Sequence, residues 1–282
     1  ESTGTRLMRR AWGASRAIDY LFTLPEVDKE KIALTGHSRN GKTSLMAAAF
    51  DERITACIPS SGGTGAEVPW RYTSFNYDIE DISLLASARP SWLHPRLRFF
   101  IGNEHKLPVD QNSFMALIAP RGLMLSTALT EGASNIWAIE QAYHASQKVY
   151  DFLDAGKNLA IRTRYGEHGV SAREMEIYID FFDYVFNRSD YPPENRLYTS
   201  YSFEEWTRLS GEKVNLNSYP EKTGKTLNAN SIQEWENQKS EILKQINWVL
   251  GEEPPGVTNP GPGSLQRAGR GEDSFGTFLT RP

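Results

Sequence analysis

Short apolar runs alternate with helix-patterned segments over the first 187 residues, and this restricts the fold more than any other feature. "KIALTGH" (31–37), "RITACIPSS" (53–61), "GLMLSTAL" (122–129) and "LAIRTRY" (159–165) are short, continuously apolar and rich in branched residues. Such runs read as strands buried on both faces. Around them, 5–24, 40–50, 110–120, 138–155 and 171–187 read as helices. The first carries Leu7, Met8, Trp12, Ile18, Leu21 and Phe22 and ends at Pro25; the fourth carries Ala142, Val149, Phe152 and Leu153. Strand and helix in alternation predict an α/β fold, a three-layer sandwich with a mostly parallel sheet between helices. Residues 62–107 are irregular and aromatic, with a short helix near 79–87.

After residue 188 the chain turns polar and Pro-bearing. One more amphipathic helix is expected at about 229–249, carrying Ile232, Trp235, Ile242, Ile246 and Trp248. A Gly/Pro-rich tail follows and reads as linker or coil. The expected division is therefore an alternating α/β part at 1–187 and an extension at 188–282.

Composition excludes some functions. The formal net charge is −4, so there is no basic excess to attract nucleic acid. No run approaches the ~20 apolar residues of a membrane helix. The opening "ESTGTRLMRRAWG" has no apolar core of signal-peptide type. The one cysteine, Cys57, sits in an apolar run and reads as a small core residue. No His/Cys/Asp group has metal-ligand spacing, so neither metal nor cofactor is expected.

"GHSRNGKT" (36–43) lies between the first strand and the next helix. It matches the phosphate-loop pattern G-x-x-x-x-G-K-[ST]. It also places Ser38 at a strand-to-helix turn, although G-x-S-x-x-G is one residue longer than the usual nucleophile motif. Downstream residues separate the two readings. A serine hydrolase of this topology needs an acid and then a histidine on loops after later strands. Glu131 follows the third strand, and His168 follows the fourth, between glycines. Serine needs a base to take its proton, histidine titrates in the useful range, and a carboxylate fixes the imidazole. His37, His94, His105 and His144 have no such placement.

These residues carry a resemblance. "GHSRNGK" resembles the G-C-S-R-x-G-K signature of glucuronoyl esterases, carbohydrate esterase family 15, with His37 where Cys is usual. "LPVDQNSFMALIAPRGLML" (107–125) is similar to that family's "LPVDQH…ALIAPR" segment, with Asn112 in place of His. "PSWLHPRL" and "RRAWGASRAIDYL" are similar to two further family segments. The resemblance covers 5–187. It implies an α/β-hydrolase that cleaves esters joining 4-O-methyl-glucuronic acid on xylan to lignin alcohols. It further implies a secreted or periplasmic location, since those polymers lie outside cells.

The roles it implies are specific. Ser38 is the nucleophile, His168 the base and then the acid, and Arg39 the oxyanion donor. Lys42, Glu80, Arg71 and Trp92 are substrate-binding candidates. Many relatives carry their triad acid on the loop after the second strand; here that loop reads Ser60-Ser61-Gly62-Gly63. Glu131 takes the position that other, bacterial members use, with Glu67 as the fallback. The tryptophan close to that acid is missing, Ala133 standing near its place, and Trp137 is the candidate substitute.

Two other readings stay open: an acetyl xylan or other serine esterase, and a catalytically weak carbohydrate-binding relative. Only residues 1–30 precede the nucleophile strand, which would leave it as an open sheet edge. The reading therefore expects further strands outside the given chain, in a missing segment or another chain. The segment "SIQEWENQKSEILKQINWVLGEEPPG" is similar to a helix that often precedes the hydrolase domain in bacterial esterases of this kind. That allows a tandem or rearranged protein, or a tail packed back on the domain.

Overall fold

The computed structural model describes residues 4–73, 79–132, 134–198, 208 and 229–250. The four apolar runs form one parallel sheet in sequence order: β1 (Ala33–His37), β2 (Ala56–Ser60), β3 (Gly122–Ala128) and β4 (Leu159–Arg164). Every pairing is parallel, with Ala33 beside Ala56, Ala56 beside Gly122, and Leu123 beside Leu159.

Among the described residues, seven α-helices accompany the sheet: α1 (Arg6–Leu21), α2 (Arg39–Phe50), α3 (Ile82–Ala88), α4 (Gln111–Ile118), α5 (Ile136–Phe152), α6 (Ala172–Val185) and α7 (Ile232–Leu250). The starts of α1, α3, α5 and α6 are capped by Thr5, Asp81, Asn135 and Ser171, whose side chains accept backbone N–H bonds in the first turn. Each such cap stabilises its helix by about 1 kcal/mol.

The strand period of two sorts the core into layers. Cys57, Leu123, Leu125, Leu159 and Ile161 face the larger cluster with α1, α2, α4 and α5. Ile58, Met124 and Ala160 face the other side, against Tyr178 and Phe181 of α6. This is the predicted three-layer arrangement, and it explains the continuous apolar runs: alternate residues are buried on opposite faces. β1 lies at one edge of the sheet, with Ala33 and Thr35 exposed.

Three residues assigned to apolar stripes point elsewhere. Leu7, Ala11 and Ile18 form the buried stripe of α1, and Trp12, one position round, is 45% exposed beneath the Arg16 guanidinium. Phe152 is likewise exposed at the end of α5. In α7 the buried stripe is Trp235, Ile242 and Ile246, while Ile232 is exposed.

The chain beyond 187 stays joined to this body. Arg196 bonds through its backbone to Ile161 and Thr163 of β4. Trp235, Ile242 and Ile246 enter the larger core cluster, and Lys239 pairs with Glu52 at 2.9 Å. The helix expected at 229–249 thus packs back on the domain. The Gly/Pro-rich tail and most of 199–228 lie outside the described residues, as does the Trp248 side chain.

Candidate active site

Ser38 is the turn between β1 and α2, and its backbone is strained: φ is 60° and ψ is −129°. A non-glycine residue rarely sits at positive φ, and such strain persists only where the surroundings impose it. Here the Ser38 amide donates to the Ser60 carbonyl at 2.8 Å, and the Gly41 amide donates to the Ser38 carbonyl at 2.7 Å.

The two glycines of the motif make this turn possible. A Cβ on Gly36 would lie 2.2 Å from the Asn40 carbonyl oxygen. One on Gly41 would lie 2.9 Å from the Ser60 carbonyl oxygen and 3.0 Å from Gly62 Cα. They allow strand and helix to close tightly around the serine.

Lys42 removes the phosphate-loop reading. Its ammonium is buried and turned from the loop. It donates to the carbonyls of Gly62 (2.5 Å) and Thr64 (2.6 Å) and to Glu80 Oε2 (2.8 Å). All three protons of the ammonium are thereby used on protein oxygens. Lys42 and Glu80 fix the loop after β2, and a sugar hydroxyl would have to replace one of these partners.

His168 stands on the loop after β4 and Glu131 on the loop after β3, as topology required. His168 Nδ1 lies 2.7 Å from Glu131 Oε1. The Glu131 carboxylate is buried while the imidazole is half exposed, so the ring is anchored at Nδ1. Glu67 is elsewhere: fully buried, with Oε1 accepting the Gly62 amide at 3.1 Å. Burial pushes its carboxyl up to about 7, against the pull of the Gly62 N–H and of Lys42.

Sequence reasoning missed two residues here. Arg164, in β4, is buried. Its Nη2 donates to Ser61 Oγ (2.7 Å) and to the carbonyls of Gly169 (3.1 Å), His168 (3.3 Å) and Glu167 (3.5 Å). One guanidinium thus gathers the histidine loop and ties it to the end of β2. His37, which has no triad placement in the sequence, nonetheless packs its ring on that of His168, centroids 4.7 Å apart. Its position next to Ser38 was the available signal, since whatever approaches the elbow also approaches its neighbour.

Ser38 opens into a cleft of about 470 Å³ lined by Arg6, His37, Arg39, Asn40, Arg89 and Trp92, among others. Arg39 holds its guanidinium 5.7 Å from the Trp92 ring centre. Its amide lies in the first turn of α2, where helices leave N–H groups without intrahelical partners. Of the five substrate-binding candidates, Trp92 alone lines this cleft. Arg71 is engaged with Asp110 at 3.4 Å and with the Leu107 carbonyl. Trp137 packs edge-on against Tyr72, centroids 5.1 Å apart. No cluster of metal-ligating side chains occurs among the described residues.

The family model described as "Glucuronyl esterase, fungi" matches residues 1–154. Carbohydrate esterase MZ0003, from an unknown prokaryotic organism, is 31% identical over 189 residues, 62% of this chain and 43% of that protein. The 4-O-methyl-glucuronoyl methylesterase of Phanerochaete carnosa is 38% identical over 128 residues, 44% of this chain and 32% of the relative. The chain therefore spans less than half the length of these relatives. Among solved structures, a promiscuous esterase of carbohydrate esterase family 15 from a marine bacterial metagenome superposes with a TM-score of 0.61. It is 30% identical and covers 64% of this chain and 48% of its own. A glucuronoyl esterase from Caldicellulosiruptor kristjansonii gives a TM-score of 0.64 at 28% identity, covering 71% and 55%. A strained serine elbow and a Glu-anchored histidine on an α/β-hydrolase sheet thus agree with a family match over more than half the chain, which belongs to the glucuronoyl esterases of carbohydrate esterase family 15.

Proposed function

We propose that this chain carries the catalytic residues of a serine esterase that hydrolyses esters of (4-O-methyl-)glucuronic acid. The observation that carries the reading is the 2.7 Å contact between His168 Nδ1 and the buried carboxylate of Glu131. That contact fixes a tautomer whose Nε2 is free to act as a base.

Ser38 Oγ attacks the uronate carbonyl carbon while His168 Nε2 takes its proton. The tetrahedral oxyanion is received by the Arg39 amide, with the Arg39 guanidinium adding positive charge. A donor of this kind contributes about 3 kcal/mol to the transition state. The intermediate collapses, His168 gives its proton to the departing alcohol, and Ser38 holds the uronate as an acyl ester. Water, deprotonated by His168, then attacks the acyl carbon, and as that second intermediate collapses His168 returns the proton to Ser38 Oγ and the uronic acid leaves.

The family match supports a uronate over an acetyl group, since 4-O-methyl-glucuronoyl methylesterases are among the relatives. Xylan-borne glucuronate esterified to lignin alcohols is the substrate class that fits, and it places the enzyme outside the cytoplasm. Hydrolysis of benzyl glucuronate by the wild type, Ser38→Ala and Glu131→Gln tests the proposal. Activity that vanishes in Ser38→Ala and falls steeply in Glu131→Gln supports it. A wild type without esterase activity, or an active Ser38→Ala, sinks it.

A further inference from the structure

Two contacts anchor His168, and neither sets the tilt of its ring. Arg164 gathers backbone carbonyls of the loop, and Glu131 holds a single ring atom, Nδ1. The imidazole is half exposed, which leaves it room to swing about that one hydrogen bond. A third contact meets its face: the His37 ring, 4.7 Å away centre to centre. His37 belongs to a row that crosses the sheet. It stands beside Ser60 of β2, and Ser60 stands beside Ser126 of β3, all toward the C-terminal ends of their strands. Tyr178 of α6 joins the two serines, its hydroxyl 2.8 Å from Ser60 Oγ and 2.7 Å from Ser126 Oγ, and Ser60 Oγ lies 3.3 Å from His37 Nδ1. Ser60, Ser126 and Tyr178 are buried, so breaking the row leaves hydroxyls unpaired in the core, which is costly. A connected and satisfied row of this kind is stiff.

We infer that His37 is a positioning residue of the ester hydrolysis: held by the Ser60–Tyr178–Ser126 row, its ring sets the tilt of the His168 imidazole and so the aim of Nε2 at Ser38. The inference rests on the reading of His168 as the base. Glu131 then fixes the tautomer, and His37 fixes the plane. His37 takes no part in bond making and acts through His168. The tilt matters because a catalytic group displaced by about 1 Å can cost about 10²-fold in rate. Tyr178, which lies on α6 against the other face of the sheet, becomes part of the same support.

Hydrolysis of benzyl glucuronate by the wild type, His37→Ala, His37→Phe, Ser60→Ala and the combined His37→Phe, Ser60→Ala protein tests this, each at a temperature where thermal unfolding shows it folded. His37→Ala should lower kcat about tenfold with KM little altered, the split expected when a group is misplaced and binding is untouched. His37→Phe restores a ring face and should recover most of that loss. Ser60→Ala frees the His37 ring and should lower kcat about threefold, yet cost nothing further in the His37→Phe background, because Ser60 acts only through His37. Unaltered kcat in His37→Ala, no recovery in His37→Phe, or a Ser60→Ala loss that persists in full beside His37→Phe overturns the inference. A second readout needs no turnover. The proton that His168 Nδ1 shares with Glu131 gives a downfield NMR signal, identified by its loss in Glu131→Gln. It should broaden in His37→Ala and stay sharp in His37→Phe; equal sharpness in both overturns the inference. If the wild type hydrolyses no ester, the esterase proposal fails while this signal still decides whether His37 fixes the ring.

Discussion

The imidazole of His37 packs against that of His168, ring centres 4.7 Å apart and tilted by 45°. His37 Nδ1 lies 3.3 Å from Ser60 Oγ, which meets the Tyr178 hydroxyl at 2.8 Å; that hydroxyl reaches Ser126 Oγ at 2.7 Å. His168 is thus braced by a second histidine tied into the sheet through a chain of hydroxyls. Burial, then the charges of His168 and Arg164, lowers the His37 pKa, with Glu131 opposing.

The sign of the resulting pH effect follows from proton counting. The native state binds fewer protons at His37 than the unfolded chain does, so this group costs stability as pH falls through the unfolded value near 6.5. His37→Phe keeps a ring against His168 and removes the titration. Thermal unfolding between about pH 7.5 and about pH 5 should fall less steeply in His37→Phe than in the wild type. Identical slopes would show that His37 titrates normally.

Glu131→Gln replaces the carboxylate by an amide whose NH₂ can donate to Nδ1, which favours the unproductive tautomer. We expect kcat to fall about 10³–10⁴-fold with KM little altered, the scale found when a triad acid becomes its amide. A loss below tenfold would mean that Glu131 only supports the loop.

Strand runs with alternate residues buried on both faces are unmistakable, and the four strands and their flanking helices fall within a few residues of their expected limits. Ser38, Glu131 and His168 were legible because topology assigns each to the C-terminal end of a strand. Arg164 was not. It reads as one polar residue in a strand, and its importance comes from five-residue loop closure onto its guanidinium, visible only in three dimensions. Lys42 and Arg71 suit a substrate pocket by charge and position. Each instead finds protein oxygens first, because a buried cation without a partner is costly.

Arg164→Met removes the donor that gathers the carbonyls of Glu167, His168 and Gly169 and the hydroxyl of Ser61. Methionine fills similar volume but leaves these buried oxygens unsatisfied, at about 1–3 kcal/mol each before water enters. Stability should drop by about 2–4 kcal/mol in urea titration. At a temperature where the variant is folded, kcat should fall while the kcat loss of Glu131→Gln in the same background shrinks, because the loop no longer presents the ring. Full additivity of the two losses would place Arg164 outside the positioning of His168.

Glu67 gives the opposite pH limb. Its carboxyl, fully buried behind Gly62, is raised to about 7 from an ordinary value of 4.5, chiefly by burial, with Glu131 adding to the rise. The native state therefore keeps a proton that the unfolded chain releases. The stability this gives is whole below the unfolded value and is lost as pH rises through about 7. Glu67→Gln retains an oxygen for the Gly62 amide and carries no charge at any pH. Near pH 4.5 the two proteins should be about equally stable. At about pH 8 the variant should be more stable by roughly 3 kcal/mol, since each tenfold change in proton affinity between the folded and unfolded chain is worth about 1.4 kcal/mol. Urea titrations at the two pH values give this difference directly. A variant equally displaced from the wild type at both would show that Glu67 is ionised throughout, held by Lys42 in a charge pair instead of by its proton.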